Sequence, residues 1–175
     1  MKSLGFLLAA ALCFSGLAFA QKVTYNYDRS ADFSRYRTYT WVRMPDSSNT
    51  DPLLDQQIRQ AVEADLAQKG IVRSDSNPGL LLAYQTIVRP QQQVETWGDT
   101  YPWGWGPGVV QTTVTTVDVG SLVLDMYDAA QHRLVWRGAA TKTLHPSSDP
   151  DKNLKNLQKS VEKLLKDFPP KRENK

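Results

Sequence analysis

The first twenty residues set the terms for the rest of the chain. Met1-Lys2-Ser3 places a short basic head before Leu4 to Phe19, a stretch without charge, and Ala18-Phe19-Ala20 then precedes Gln21. A basic head, an apolar core of roughly 7 to 15 residues and small residues before the cut form a secretory signal. Residues 1–20 therefore read as an export leader cleaved after Ala20, which puts the remainder in the periplasm. A membrane-spanning helix needs about 20 apolar residues, whereas this run is shorter and Gly16 interrupts it. The sole cysteine, Cys13, lies inside the leader. What is exported must then fold without disulfides, thiolate metal ligands or a cysteine nucleophile, although the compartment would permit disulfides.

Residues 21–168 are a usual length for one domain with a buried core. Pro169-Pro170 and the basic residues after them, 169–175 in all, read as a solvated tail. The full chain has 21 basic and 18 acidic residues, a formal net charge of +3, and the leader removes only Lys2. No nucleic acid is expected as a partner, because such a face needs basic residues clustered on a folded surface. After the leader no stretch is long and apolar enough to be a transmembrane segment.

Val23 to Tyr27 alternates with period two, as a half-buried strand does, and Tyr36 to Val42 reads as a second strand. Phe33, in the polar stretch between them, is expected to anchor in the core. Asp51-Pro52 starts a helix: the carboxylate caps, and proline at the first helical position loses no bond. Leu54, Ile58, Val62 and Leu66 form its apolar stripe, and Gly70 ends it. Leu80 to Val88 reads as a buried strand bounded by Asn77-Pro78-Gly79 and Arg89-Pro90. Val109 to Val117 and Ser121 to Tyr127 suggest a hairpin turning at Asp118-Val119-Gly120.

A further strand, Arg133 to Leu144, follows Ala129 to His132, and pairing Ala129 with Arg133 brings Asp125 opposite Arg137. Leu122, Leu124, Met126, Leu134 and Trp136 would share the core side. Asp149-Pro150 starts the last helix, with Leu154, Leu157, Val161, Leu164, Leu165 and Phe168 as its apolar positions. The expected fold is α+β: a mostly antiparallel sheet with two amphipathic helices packed on one face.

The segments VTYNYDRSADFSRYRTYTW, DPLLDQQIRQAVEADLAQKGI, PGLLLAYQTIV, GSLVLDMYDAAQHRLVWRGAAT and KSVEKLLKDFPP resemble, in order and spacing, the domain of unknown function 4136 family. The VWRG hairpin and the terminal FPP are the most specific part. The resemblance implies a Gram-negative envelope protein from a family rich in lipoproteins, and it brings no activity or catalytic residues. Lipoprotein processing wants a small residue before the lipidated cysteine, yet Leu12 precedes Cys13. A periplasmic form is thus expected over an outer-membrane lipoprotein.

Glu95 to Gly108 is the most unusual stretch, with Trp97, Tyr101, Trp103 and Trp105 interleaved with glycines. Its composition suggests no regular element. Its rings could stack on a sugar or seat at a membrane or protein interface, or they could fold back onto the sheet from a long hairpin connection. It is the candidate binding loop. Asp125 and Arg137 are the candidate ion pair, a sheet-face contact unless they line a cleft. The mature chain has only His132 and His145, neither in a motif, and the spacing offers no metal site, cofactor site or catalytic constellation.

Two functions of different class follow: a non-catalytic envelope protein that binds a partner protein or cell-wall glycan, and a periplasmic enzyme of unrecognised class. Mass spectrometry of the protein from its native envelope should give an amino terminus at Gln21; a lipidated Cys13 would overturn the reading of the leader.

Overall fold

The computed structural model describes residues 21–43, 51–98, 110–144 and 147–171. In chain order these form β1 (Lys22–Tyr27), a 3-10 turn (Phe33–Arg35), β2 (Thr38–Trp41), α1 (Pro52–Gln68), β3 (Val72–Arg73), β4 (Leu80–Gly98), β5 (Val110–Asp128), β6 (Arg133–Thr143) and α2 (Pro150–Leu165). The six strands make one sheet in the order β1-β6-β5-β4-β2-β3. The β1–β6, β6–β5 and β5–β4 pairs are antiparallel, while β2 runs parallel to both β3 and β4. The fold is α+β with a mostly antiparallel sheet. Its parallel part follows from connectivity, since the segment from β2 to β3 passes through α1, and such a crossover returns the chain in the same direction.

Both helices begin as their sequences dictate. The Asp51 carboxylate accepts from the Leu53 and Leu54 N–H groups, and Asp149 accepts from Asp151 and Lys152, satisfying donors that have no partner within the helix. Helix α1 ends at Gly70, whose φ is +74°. Ile71 N–H reaches the Leu66 carbonyl and Gly70 N–H the Ala67 carbonyl, a Schellman closure that favours glycine at this position.

Ile58, Val62 and Leu66 of α1 and Val161, Leu164 and Leu165 of α2 are buried together with one face of the central strands. Leu82, Met126 and Trp136 stand opposite one another across β4, β5 and β6, and Tyr84, Leu124 and Gly138 form the next row. Phe33 packs against this core from its 3-10 turn, edge-on to Tyr36 and Phe168. Leu54 departs from the expected stripe. It lies in the first turn of α1 and remains 37 % exposed.

Three sequence expectations fail for identifiable reasons. Arg89-Pro90 does not end β4, because Pro90 faces Asp118, whose carbonyl is turned away from β4 to accept from Leu144 N–H. This is a non-hydrogen-bonded pair, where the missing proline N–H costs no ladder bond. Asp118-Val119-Gly120 is likewise no turn. Strand β5 runs straight through it, and a Cβ on Gly120 would lie 2.7 Å from Leu144 Cδ2, so the glycine serves close approach. Finally, the register of β5 and β6 shifts between Met126 and Tyr127. Asp125 still meets Arg137, but Arg133 meets Asp128 in place of Ala129, and Leu134 meets Tyr127 on the face away from Met126. Val135 is buried instead.

Trp136 lies over Gly138, where an added Cβ would come 2.3 Å from Trp136 Cη2 and 2.8 Å from Leu164 Cδ1. Gly138→Ala should therefore cost about 2–3 kcal/mol, at the upper end for overpacking. Gly120→Ala, whose added methyl comes nearest to the 40 % exposed Leu144 side chain, should cost well under half of that. Urea denaturation of the two variants checks the ranking.

Candidate functional site: a two-stranded arm

The β4–β5 ladder runs from the Leu80–Asp128 pair to the Gly98–Val110 pair. On one side β2 reaches only Leu82, and on the other β6 reaches only Val119. From Pro90–Asp118 outward, no described strand flanks the ribbon. At roughly 3.3 Å per residue the arm extends about 27 Å beyond the six-stranded sheet. Its sequence explains why it is strand: QTTVTTV in β5 is almost wholly β-branched, and Val94 and Thr96 of β4 face Val114 and Thr112. Val94 and Val114 are 62 % and 57 % exposed.

Trp97 belongs to β4, its backbone opposite Gln111, so the regular structure extends further into the aromatic stretch than its composition suggests. Tyr101, Trp103 and Trp105 lie outside the described residues, as does His145. At the base of the arm, on the sheet face away from the helices, an open hollow of about 380 Å³ is lined by Ile87, Arg89, Val119, Val123, Ala139 and Thr141, among others.

The Asp125–Arg137 pair forms as the register requires. Arg137 Nε and Nη2 donate to the Asp125 carboxylate at 2.5 and 2.7 Å. The Asp125 side chain is almost wholly covered and that of Arg137 half exposed. The hydrogen bond to Asp125 raises the Arg137 pKa further. Neither residue lines the hollow. The arrangement is a sheet-face clamp with its bidentate capacity used internally.

His132 is a turn residue, with φ +51° and its N–H donated to the Asp128 carbonyl. The Asp128 carboxylate organises the same turn. It accepts from Ala130 and Gln131 N–H, each at 2.9 Å, from Tyr36 Oη at 2.8 Å and from the Arg35 guanidinium. Burial pushes its pKa up, and these donors outweigh burial and hold it below the usual carboxylate range. Burial, then the same hydrogen bond, drives Tyr36 up to about 12.

This sequence matches the family model for Domain of unknown function (DUF4136) over residues 23–170. The chain belongs to the DUF4136 family. No curated protein matches it. Among solved structures, a PDZ domain protein from Parabacteroides distasonis ATCC 8503 is similar at a TM-score of 0.58 and 14% identity, over 86% of this chain and 36% of that one. The chain thus spans little more than a third of that protein. PelC from Paraburkholderia phytofirmans, crystallised as a dodecamer, matches with a TM-score of 0.51 and 15% identity over 83% of this chain and 95% of that one. These likenesses concern the fold. In this DUF4136 member the VWRG segment has a physical meaning: Trp136 fills the core, Arg137 clamps Asp125, and Gly138 leaves room for the indole.

A second cluster escaped the sequence reading. Arg59 lies over the rings of Trp41 at 4.9 Å and Tyr84 at 5.8 Å, while its Nε donates to Asp55 at 2.9 and 3.0 Å. Tyr84 Oη also donates to Asp55. Burial raises the Asp55 pKa, but these bonds, Tyr84 first, leave it below the ordinary value. The legible signal was the i,i+4 spacing of Asp55 and Arg59; the aromatic partners come from distant strands. Among the described residues no group of three or more His, Cys, Asp or Glu is placed to hold a metal, and no helix is long and apolar enough to cross a membrane.

Because the Asp128 pKa is lowered in the folded state, its stabilisation is fully present above the unfolded value of about 3.9 and is lost as pH falls through the folded value. Asp128→Asn should cost about 1–3 kcal/mol at pH 7, and the gap from the unaltered protein should shrink below about pH 4. Paired urea titrations at neutral and acid pH measure the difference.

Proposed function

We propose that this protein is a non-catalytic component of the bacterial cell envelope that holds its partner through the β4–β5 arm. The observation carrying the reading is the arm itself. Its strands continue the central ladder, yet from Pro90 outward none of its described side chains belongs to the core. An isolated two-stranded ribbon is marginal in water, so a ribbon that adds nothing to the buried core is best accounted for by contact with another surface.

The distribution of ionisable groups supports the same reading. Asp125, Asp128 and Asp55 are each engaged by arginine, and tyrosine adds to the latter two; none lines the hollow at the arm base. Groups that satisfy one another hold structure more readily than they turn over a substrate. The sequence between β4 and β5 holds Tyr101, Trp103 and Trp105, residue types favoured where one protein meets another. The leader and the family resemblance support an envelope location, where a protein or cell-wall glycan is the partner to seek. PelC, similar in fold, assembles as a dodecamer, so association between copies is compatible with this architecture.

Replacing residues 91–117 by an Asn-Gly turn should leave the melting transition of the body nearly unchanged, because the buried core lies outside that span. The same variant should lose the partners that the intact protein captures from solubilised envelope and from purified cell wall, with Trp103→Ala and Trp105→Ala reporting on the aromatic part. Equal capture by the shortened and intact proteins would sink the proposal.

A further inference from the structure

Strands alternate the direction of their N–H and C=O groups. In β5 the Asp118 carbonyl points toward β6, where it accepts from Leu144 N–H at 2.7 Å. Beyond the end of β6, Thr116, Val114 and Thr112 follow at the same parity, so each presents an N–H and a C=O along an edge that no described strand covers. Natural sheets blunt such edges with lysine, proline or inward charge. The partner strand does so, with Pro90, Arg89 and Glu95. Residues 110–117 of β5, VQTTVTTV, contain no charge, no proline and no glycine. The described side chains of this stretch are exposed along Gln111 to Thr116.

We infer that this edge pairs, antiparallel and about a two-fold axis at Val114, with the same edge of a second copy of the chain. The inference rests on the arm being the contact element and names its partner. In that register Val114 exchanges both backbone bonds with Val114 of the second copy, and Thr112 pairs with Thr116 of the second copy in both directions. Residues directly opposite share a face, and Val94 already stands opposite Val114 within the chain. The pairing therefore lines up Val94, Val114 and their two counterparts in one row across four strands. That row covers the valines that are 62 % and 57 % exposed in the single chain.

Charge favours this occupant as well. Two uncharged edges approach without repulsion, and a self-complementary strand needs no other sequence to meet it. A two-fold contact of this kind is isologous and closes as a dimer. It also turns a ribbon of marginal length into a four-stranded sheet with an apolar stripe, the size at which such sheets become independently stable.

Sedimentation velocity on the exported protein, with Val114→Lys and Val114→Glu variants, tests the register. The unaltered protein should be dimeric at micromolar concentration. Each variant alone should be monomeric with an unchanged melting transition, because position 114 then places two like charges face to face on the axis. An equimolar mixture of the two variants should recover a one-to-one heterodimer by native mass spectrometry. A monomeric unaltered protein, a dimer unaffected by Val114→Lys, or a mixture that stays monomeric would each overturn the inference. If the unaltered protein is monomeric, or its dimer survives arm shortening, while arm shortening still abolishes envelope capture, self-pairing fails and the arm keeps its binding role; a surviving dimer together with unchanged capture overturns both.

Discussion

The structure depends on one covered sheet face. Trp136, Met126, Leu82 and their neighbours become a core only because α1 and α2 close over them, and α2 can come that near because Gly138 has no side chain to hold Leu164 away. The helices are individually ordinary. Their caps set where they start, but the energy that holds them is burial, roughly 25 cal/mol for each Å² of apolar surface removed from water. The remaining architecture is arranged around that contact: β1 extends the sheet beside β6, and the 3-10 turn brings Phe33 against Phe168.

Polar groups serve the same body. Asp128 gathers the β5–β6 turn, Arg35 and Tyr36 onto one carboxylate, and Asp55 with Arg59 ties α1 to the aromatic rings of β2 and β4. Both are buried or half-buried networks whose cost of desolvation is offset by complete pairing. Two ring atoms show the limits of that completeness: Trp136 Nε1 is buried without a partner among the described residues, whereas Trp41 Nε1 donates to Glu63 at 2.8 Å. The indole that fills the core does so for its volume.

Much of this was legible in order. Period-two alternation in Val23 to Tyr27, the Asp-Pro caps, Gly70 and the stripe of α2 each encode local geometry in adjacent residues, and each element stands where those residues place it. The Asp125–Arg137 contact was legible too, because hairpin register is local arithmetic, although the slip at Met126 and Tyr127 gives no sequence signal and redirects Leu134 and Val135. What sequence did not disclose was non-local. Pro90 and Gly120 look like punctuation, and in most chains they are; here one sits at a position that needs no N–H and the other beneath a leucine. Reading them as breaks divided a single ladder into pieces and hid the arm, since no run of residues announces how far its neighbours extend.

The departure of the arm from the core has a consequence for how this chain can change over time. A substitution at Leu82 or Trp136 disturbs a packed interior, whereas one at Gln92, Thr113 or Thr115 alters only what the ribbon displays. So long as alternation and β-branching persist, the body folds regardless. The scaffold and the surface it carries are thus free to diverge at different rates, and relatives with the same core need not display the same ribbon.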